Sequence, residues 1–165
     1  MATNYSTLAT NFRGKTTKNA VTAMEGNLKM ISATVSVAAT DNDGDIYHMI
    51  PVRSNWSIKH IWVMNDAITN GTDYDIGLYS TAATPVAYDS DCYMDGVTMA
   101  SARTTAPYDA AYSARNITAV NNLVYQDAAS PASADPSVWY YLSITANTVG
   151  TVQGDITLIV KYVGD

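Results

Sequence analysis

Residue types that build reactive or cross-linked sites are scarce in this sequence. One cysteine and two histidines leave no internal disulfide framework and no cluster of zinc ligands at the usual spacing. Phosphate-cradling glycine motifs and nucleophile motifs such as GxSxG do not occur, and no apolar run is long enough to cross a bilayer. The sequence therefore predicts no cofactor, no metal centre, no catalysis by His48 or His60, and no membrane partner.

Glutamate is also nearly absent, and this bears on the fold. Fourteen of the fifteen acidic residues are aspartate, and they accompany twenty threonines and twelve tyrosines. Aspartate favours turns and is poor inside helices, whereas threonine, tyrosine, valine and isoleucine suit a pleated surface. The composition predicts an all-β chain, and 165 residues of which 47% are apolar are enough for one compact domain with a core.

The charge is unevenly distributed along the chain. The formal net charge is −6, and because Arg13, Lys15, Lys18 and Lys29 against Glu25 give residues 1–30 a charge of +3, residues 31–165 carry −9. An acidic body argues against a nucleic-acid partner. We interpret residues 1–30 as an extended basic N-terminal arm with at most a short helix. Such an arm either docks on an acidic partner surface or is a solvated terminus.

The order of apolar residues predicts seven or eight short strands from residue 31 onward. Alternation marks 31–39 and 156–163, and similar runs occur at 46–52, 56–65, 74–80 and 138–146. Residues 103–137 are rich in turn formers, and 97–105 have a composition compatible with a short helix. Short strands joined by turns predict an antiparallel β-sandwich or jelly roll spanning 31–165.

Two groups of aspartates resemble cation sites. The groups are Asp41, Asp43 and Asp45, and Asp89, Asp91 and Asp95. The first departs from a calcium-binding EF-hand loop because Gly44 precedes the third carboxylate and the twelfth position is Val52. We therefore interpret the first group as a turn between strands, with an adventitious Ca²⁺ site as the alternative, and treat the second in the same way.

The segment TDYDIGLYS raises the question of paired catalytic carboxylates. Asp73 and Asp75 are two residues apart in a predicted strand, so their side chains share a face at a separation of roughly 6.5–7 Å, near that of inverting glycosidases. Tyr74, Ile76 and Leu78 form an apolar row on the other face. Nothing in the sequence predicts the burial that a general acid requires. We interpret both aspartates as the solvent-facing side of the strand.

Three segments together resemble small structural proteins of tailed bacteriophages. They are SNWSIKHIWVMNDAI leading into TDYDIGLYS, then VAYDSDCYMDGVTMASA, and finally VWYYLSITANTVGTVQGDITLIVKYV. The similarity spans about residues 31–163 and is one of pattern. Proteins of this type are capsid cement or decoration proteins.

The resemblance implies a non-enzymatic jelly-roll protein of the virion. Such a protein, assembled in the host bacterial cytoplasm, binds the outside of the capsid and clamps neighbouring major capsid subunits against internal pressure. The implied partners are the major capsid protein and further copies of the chain, as a homotrimer in preference to a dimer.

Candidate contact residues follow from charge and aromatic content. The arm residues are Tyr5, Phe12, Arg13, Lys15, Lys18 and Lys29, which we expect to bind the capsid. Trp56, Trp62 and Trp139 are candidate interface anchors because aromatic residues dominate interface hot spots. Core packing is the alternative for all three tryptophans.

Two other functions remain compatible with the sequence. A receptor- or glycan-binding jelly-roll module of a tail or neck appendage predicts a solvent-facing aromatic residue beside paired aspartates. A glycan hydrolase predicts that hydrolysis is lost when Asp73 or Asp75 is replaced by asparagine.

Overall fold

The computed structural model describes residues 27–111 and 113–164, and they form two packed β-sheets. The strands are β1 (Leu28–Val37), β2 (Asp45–Arg53), β3 (Ser57–Asn65), β4 (Asp73–Ser80), β5 (Ala87–Val97), β6 (Tyr108–Asp109), β7 (Trp139–Thr148) and β8 (Gly154–Val163). Two short 3₁₀ helices, Ile117–Asn121 and Val124–Gln126, lie between β6 and β7. No helix in the described ranges is long and apolar enough to cross a membrane.

The strand order shows how the chain wraps. One sheet has the order β1-β8-β3-β6 and the other β2-β7-β4-β5, with every pairing antiparallel. The first strand pairs with the last, the second with the seventh, the third with the sixth and the fourth with the fifth. The chain therefore forms a two-sheet antiparallel sandwich in which strands from the two halves of the sequence pair with one another. The predicted antiparallel β-sandwich is confirmed.

Alternating side chains from both sheets build the core. In β8, Ile156, Leu158 and Val160 are fully buried, while Thr157 and Lys161 on the other face are partly exposed. The opposing sheet contributes side chains from β4 and β7 to the same cluster. Each fully buried aliphatic side chain contributes about 1.5–3 kcal/mol of transfer free energy. The core therefore lies between the sheets, and the outer faces are left for other contacts.

The boundaries differ from the sequence interpretation at three places. Strand β1 begins at Leu28, inside the range assigned to the arm, and continues regularly to Val37. Residues 98–107 are loop, so no helix forms over 97–105. The turn-rich stretch 103–137 also contains the two-residue strand β6 and both 3₁₀ helices. These short elements have no periodicity of their own in the sequence. Contacts with the sandwich hold them in place.

A buried ion pair anchors the long connection between β6 and β7. The Arg115 and Asp127 side chains are each 2% exposed, with 3.1 Å between guanidinium nitrogen and carboxylate oxygen. Arg115 also donates to the carbonyls of Ile58 and Ala119, and the Tyr93 hydroxyl donates to Asp127 at 2.8 Å. Burial raises the pKa of Asp127, against which these donors act. The network fixes the connection onto β3 and β5.

Strand β5 does not run evenly beside β4. Ile76 pairs with Met94 and Leu78 pairs with Asp89, so two steps along β4 correspond to five along β5. The extra residues of β5 bulge over Gly77, where a Cβ atom would stand 2.1 Å from the Asp89 carbonyl oxygen. Gly77 has no side chain, and this allows the close crossing. The bulge covers part of the outer face of β4.

Candidate interaction surfaces

The two ends of the sandwich differ in charge. At one end lie the first residues of β1, β3, β5 and β7 and the last residues of β2, β4 and β8; we call it the arm end, because residues 1–26 precede β1 there. The opposite end, the acidic end, carries Asp41, Asp43, Asp45, Asp66, Asp73, Asp95 and Asp155. The body is therefore most acidic at the end away from the arm.

The aspartates of the loop between β1 and β2 are engaged in building that loop. Asp41 Oδ2 accepts from the Ala38 N–H and the Tyr47 hydroxyl, both at 2.8 Å. Asp43 accepts from the Val149 N–H at 2.9 Å, and Asp45 accepts from the backbone N–H three residues earlier at 2.8 Å. These donors belong to the loop and to neighbouring strands, as expected for a turn that connects two strands. The described residues contain no group of three or more metal-ligating side chains close enough to share an ion.

Asp75 departs from the sequence interpretation, which placed it on a solvent-facing side. It is 7% exposed, and its carboxylate accepts from the Gly96 N–H at 2.8 Å and the Asn147 amide at 2.6 Å. Asp73 is partly exposed and accepts from the same amide at 3.3 Å. The prediction was wrong for Asp75 because β5 crosses over β4, which the alternation of β4 alone does not reveal.

Burial raises the pKa of Asp75, as a general acid would require, yet its position does not suit catalysis. Both of its oxygens accept hydrogen bonds from groups of the fold, and β5 lies across it. Through these two bonds Asp75 joins β4 to β5 and β7.

A histidine–serine contact on the outer face of the β2-β7-β4-β5 sheet is the other arrangement with catalytic residue types. His48 Nδ1 lies 2.8 Å from Ser143 Oγ, and the imidazole stacks on Tyr141 with 4.9 Å between ring centroids. Ser143 is fully buried, so its hydroxyl cannot reach a substrate carbonyl. Burial lowers the pKa of His48. The contact joins β2 to β7 as a cross-strand pair.

The three predicted tryptophan anchors occupy different environments. Trp56 is 6% exposed and stacks on Tyr162 with 4.1 Å between ring centroids, so it belongs to the core. Trp139 packs edge-on against Trp56 but is 42% exposed. Trp62 lies on the outer face of the β1-β8-β3-β6 sheet, partly exposed, with Lys161 Nζ 3.9 Å from its ring centroid. Only Trp62 and Trp139 present a surface to a partner.

Several exposed apolar side chains lie at the arm end together with Trp139. Val86, Tyr88 and Val138 are 65%, 48% and 38% exposed, and the Arg53 guanidinium lies 5.0 Å from the Trp139 ring centroid. Val138 precedes Trp139 in the chain, Arg53 pairs with Trp139 in the sheet, and Tyr88 packs edge-on against Tyr140, the next residue of β7. We call these five residues the Trp139 patch. Exposed apolar residues rimmed by a cation are typical of protein contact surfaces.

The start of β1 and the Trp139 patch lie at the same end of the sandwich. Leu28, the first residue of β1, pairs with Val163, and the following residue Gly164 lies against the Trp56 indole. Trp56 in turn contacts Trp139. Tyr5, Phe12, Arg13, Lys15 and Lys18 lie outside the described residues, and Lys29 is exposed near the start of β1. The chain thus enters the fold beside the patch.

Two solved structures share this fold. A chain in the capsid of Ralstonia phage GP4 is 14% identical, with a TM-score of 0.59 over 85% of this chain and 86% of that one. A chain in the capsid asymmetric unit of cyanophage Pam1 is also 14% identical, with a TM-score of 0.54 over 86% and 88% of the two chains. At this identity the likeness shows a common fold. No protein-family model and no curated protein matches the sequence.

Several surface residues could not be identified from the sequence. Val86, Tyr88 and Val138 lie in loops or at strand ends, where neither alternation nor a motif separates an exposed apolar residue from a buried one. Arg53 and Lys161 sit on exposed strand faces, and their ring contacts depend on strand register. Register is set by the tertiary fold, so the sequence offered no signal for these pairs.

Proposed function

We propose that this protein is a non-enzymatic structural component of a phage virion, a cement or decoration protein that binds the outside of the capsid through its arm end. The observation that carries the proposal is the position of the Trp139 patch beside the point where the basic arm joins β1. The shared fold with chains of two phage capsid structures supports it, as does the sequence resemblance. The acidic end then points away from the capsid.

The physical basis of such a role is contact area rather than chemistry. A clamp that buries surface on neighbouring capsid subunits adds contacts that internal pressure must break together. The folded patch and the arm are linked and would bind the partner at two sites. Once one of them is bound, the other is present at a high effective concentration near its own site. Self-association multiplies this effect. The proposed partners are the major capsid protein and further copies of this chain.

Saturation binding to phage heads stripped of this protein tests the proposal. Wild-type protein should saturate the heads at a fixed copy number per capsomer. Deleting residues 1–26, or replacing both Trp139 and Tyr88 by alanine, should weaken binding by about tenfold or more, because aromatic anchors typically contribute over 1 kcal/mol each. Val152→Ala is the matched control, since Val152 is 45% exposed but precedes β8 at the acidic end.

The outcomes separate the arm from the patch. Unchanged occupancy after deletion of residues 1–26 would remove the arm from the binding surface. Equal weakening by Val152→Ala would show that the arm end has no special role. Binding on a glycan array by protein that does not bind heads would favour the receptor-binding alternative. Trp139 contacts the Arg53 guanidinium and the Trp56 ring rather than paired aspartates, so its surroundings favour a protein partner over a glycan.

A further inference from the structure

The sandwich has four edge strands, and three of them carry features that discourage pairing with another strand. Strand β2 contains Pro51 and a bulge after His48. Strand β5 is bulged and carries Asp89, Asp91 and Asp95. Strand β6 is two residues long. Proline, bulges, charges and short length are the usual means of protecting an exposed sheet edge.

Strand β1 lacks these features. Its ten residues, LKMISATVSV, pair with β8 in an unbroken register, and they contain no proline and one charge, Lys29, near the start. Within 27–111 and 113–164 nothing pairs with its outer edge. The unpaired backbone groups of such a strand form a template for one more strand. Ile31, Ala33 and Val35 are only partly buried against the core, so an added strand would also cover apolar surface.

We propose that β1 is a self-association edge, which pairs antiparallel with β1 of a second copy about a two-fold axis through Ala33. The resulting assembly is a homodimer, the alternative to the homotrimer, and its formation does not depend on capsid binding. About this axis, each residue pairs with the residue of the second copy that lies equally far on the other side of Ala33, so odd-numbered residues pair with odd-numbered ones. Ile31 then faces Val35 of the second copy, so the apolar rows meet on the core side.

The distribution of charge along β1 favours a second copy of the chain as the partner of its open edge. The stretch from Met30 to Val37 is uncharged, so no like charges oppose each other along the ladder. In this register Lys29 faces Val37 of the second copy, next to Ala38, whose N–H donates to Asp41. Each pairing end therefore brings a cation near a carboxylate of the other copy. The two-fold axis places the same Lys29–Asp41 proximity at both ends of the paired strands.

Two cysteine variants in a Cys92→Ala background test the register, because Cys92 is the only native cysteine. Ala33→Cys places a thiol opposite itself, at the roughly 4.5–5.5 Å between Cα atoms of an antiparallel pair, which a disulfide can span. Val35→Cys is the matched control on the same face, with the two thiol positions separated by roughly 13 Å along the strands. Under mild oxidation the full-length Ala33→Cys protein should form covalent dimers, and Val35→Cys should not.

A pair of charge variants tests the same contact without cysteine. Ser32 faces Thr34 of the second copy in this register. Ser32→Lys with Thr34→Lys should weaken self-association by roughly tenfold or more in sedimentation equilibrium, while Ser32→Glu with Thr34→Lys should restore it. Both double variants lose the Thr34–Thr157 hydrogen bond, so this loss cannot account for a difference between them.

Three results would overturn the proposal. The first is a folded Ala33→Cys protein that does not cross-link, or that cross-links no better than Val35→Cys. The second is equal association of the two charge variants. The third is cross-linking that appears only after residues 1–26 are deleted, because the chain's own arm would then be the occupant of the edge. Circular dichroism and thermal unfolding identify any variant that fails to fold.

Discussion

Replacing the buried Gly77 of β4 by alanine should destabilise the protein strongly. Gly77 does not adopt a positive φ, so its backbone conformation is open to alanine. The conflict is steric, because a Cβ atom would stand 2.1 Å from the Asp89 carbonyl oxygen and 2.3 Å from the Ser90 carbonyl carbon. Both are backbone atoms, which cannot rotate away as a side chain can.

The size of the effect follows from what must move. Non-bonded contacts need roughly 3.5 Å, so the β5 bulge must shift by more than about 1 Å. That shift strains the ladder bonds beside the bulge, each worth about 1 kcal/mol, and disturbs the packing of Tyr93 and Met94. We expect Gly77→Ala to lower the free energy of unfolding by about 3 kcal/mol and the Tm by roughly 6–12 °C.

Gly44→Ala is the matched control for conformational cost. Gly44 has φ of +89°, and a Cβ atom there meets nothing within 4 Å. Alanine should therefore cost only about 1 kcal/mol, through backbone strain. Urea unfolding monitored by tryptophan fluorescence gives both values. If Gly77→Ala is no less stable than Gly44→Ala, the close crossing of β5 over β4 is refuted.

Two further predictions concern buried charge. Arg115→Met should destabilise by about 3–5 kcal/mol because it leaves Asp127 buried without its cation, and adding Asp127→Leu should recover part of the loss in urea unfolding. Burial and the neighbouring Asp91 raise the pKa of Asp89 to about 6, so this group stabilises the fold below pH 3.8 and loses that contribution as pH rises to 6. Asp89→Asn should therefore be more stable than wild type by about 1 kcal/mol at pH 7, since partial exposure screens the charge, and equal at pH 3. An unchanged difference between the two pH values would contradict this reasoning.

The strand pattern was predictable where one face of a strand is buried and the other is wet. In β8, Ile156, Leu158 and Val160 alternate with polar residues, and the hydrophobic effect acting on that alternation fixes both the strand and its facing. The weakly periodic stretch 103–137 was not predictable in the same way. Its short elements depend on the Arg115–Asp127 pair, whose partners lie far apart in the sequence on β3 and β5.

The segment TDYDIGLYS shows most clearly which features follow from the sequence and which depend on the tertiary structure. Its alternation by itself determined a strand with Tyr74, Ile76 and Leu78 in the core, because an extended chain turns every second side chain to the same face. Only the tertiary structure decided that Asp75 on the opposite face is buried and that Gly77 must lack a side chain. The physical reason is that β5, a separate strand, bulges over β4, and a strand's own periodicity carries no information about what crosses it.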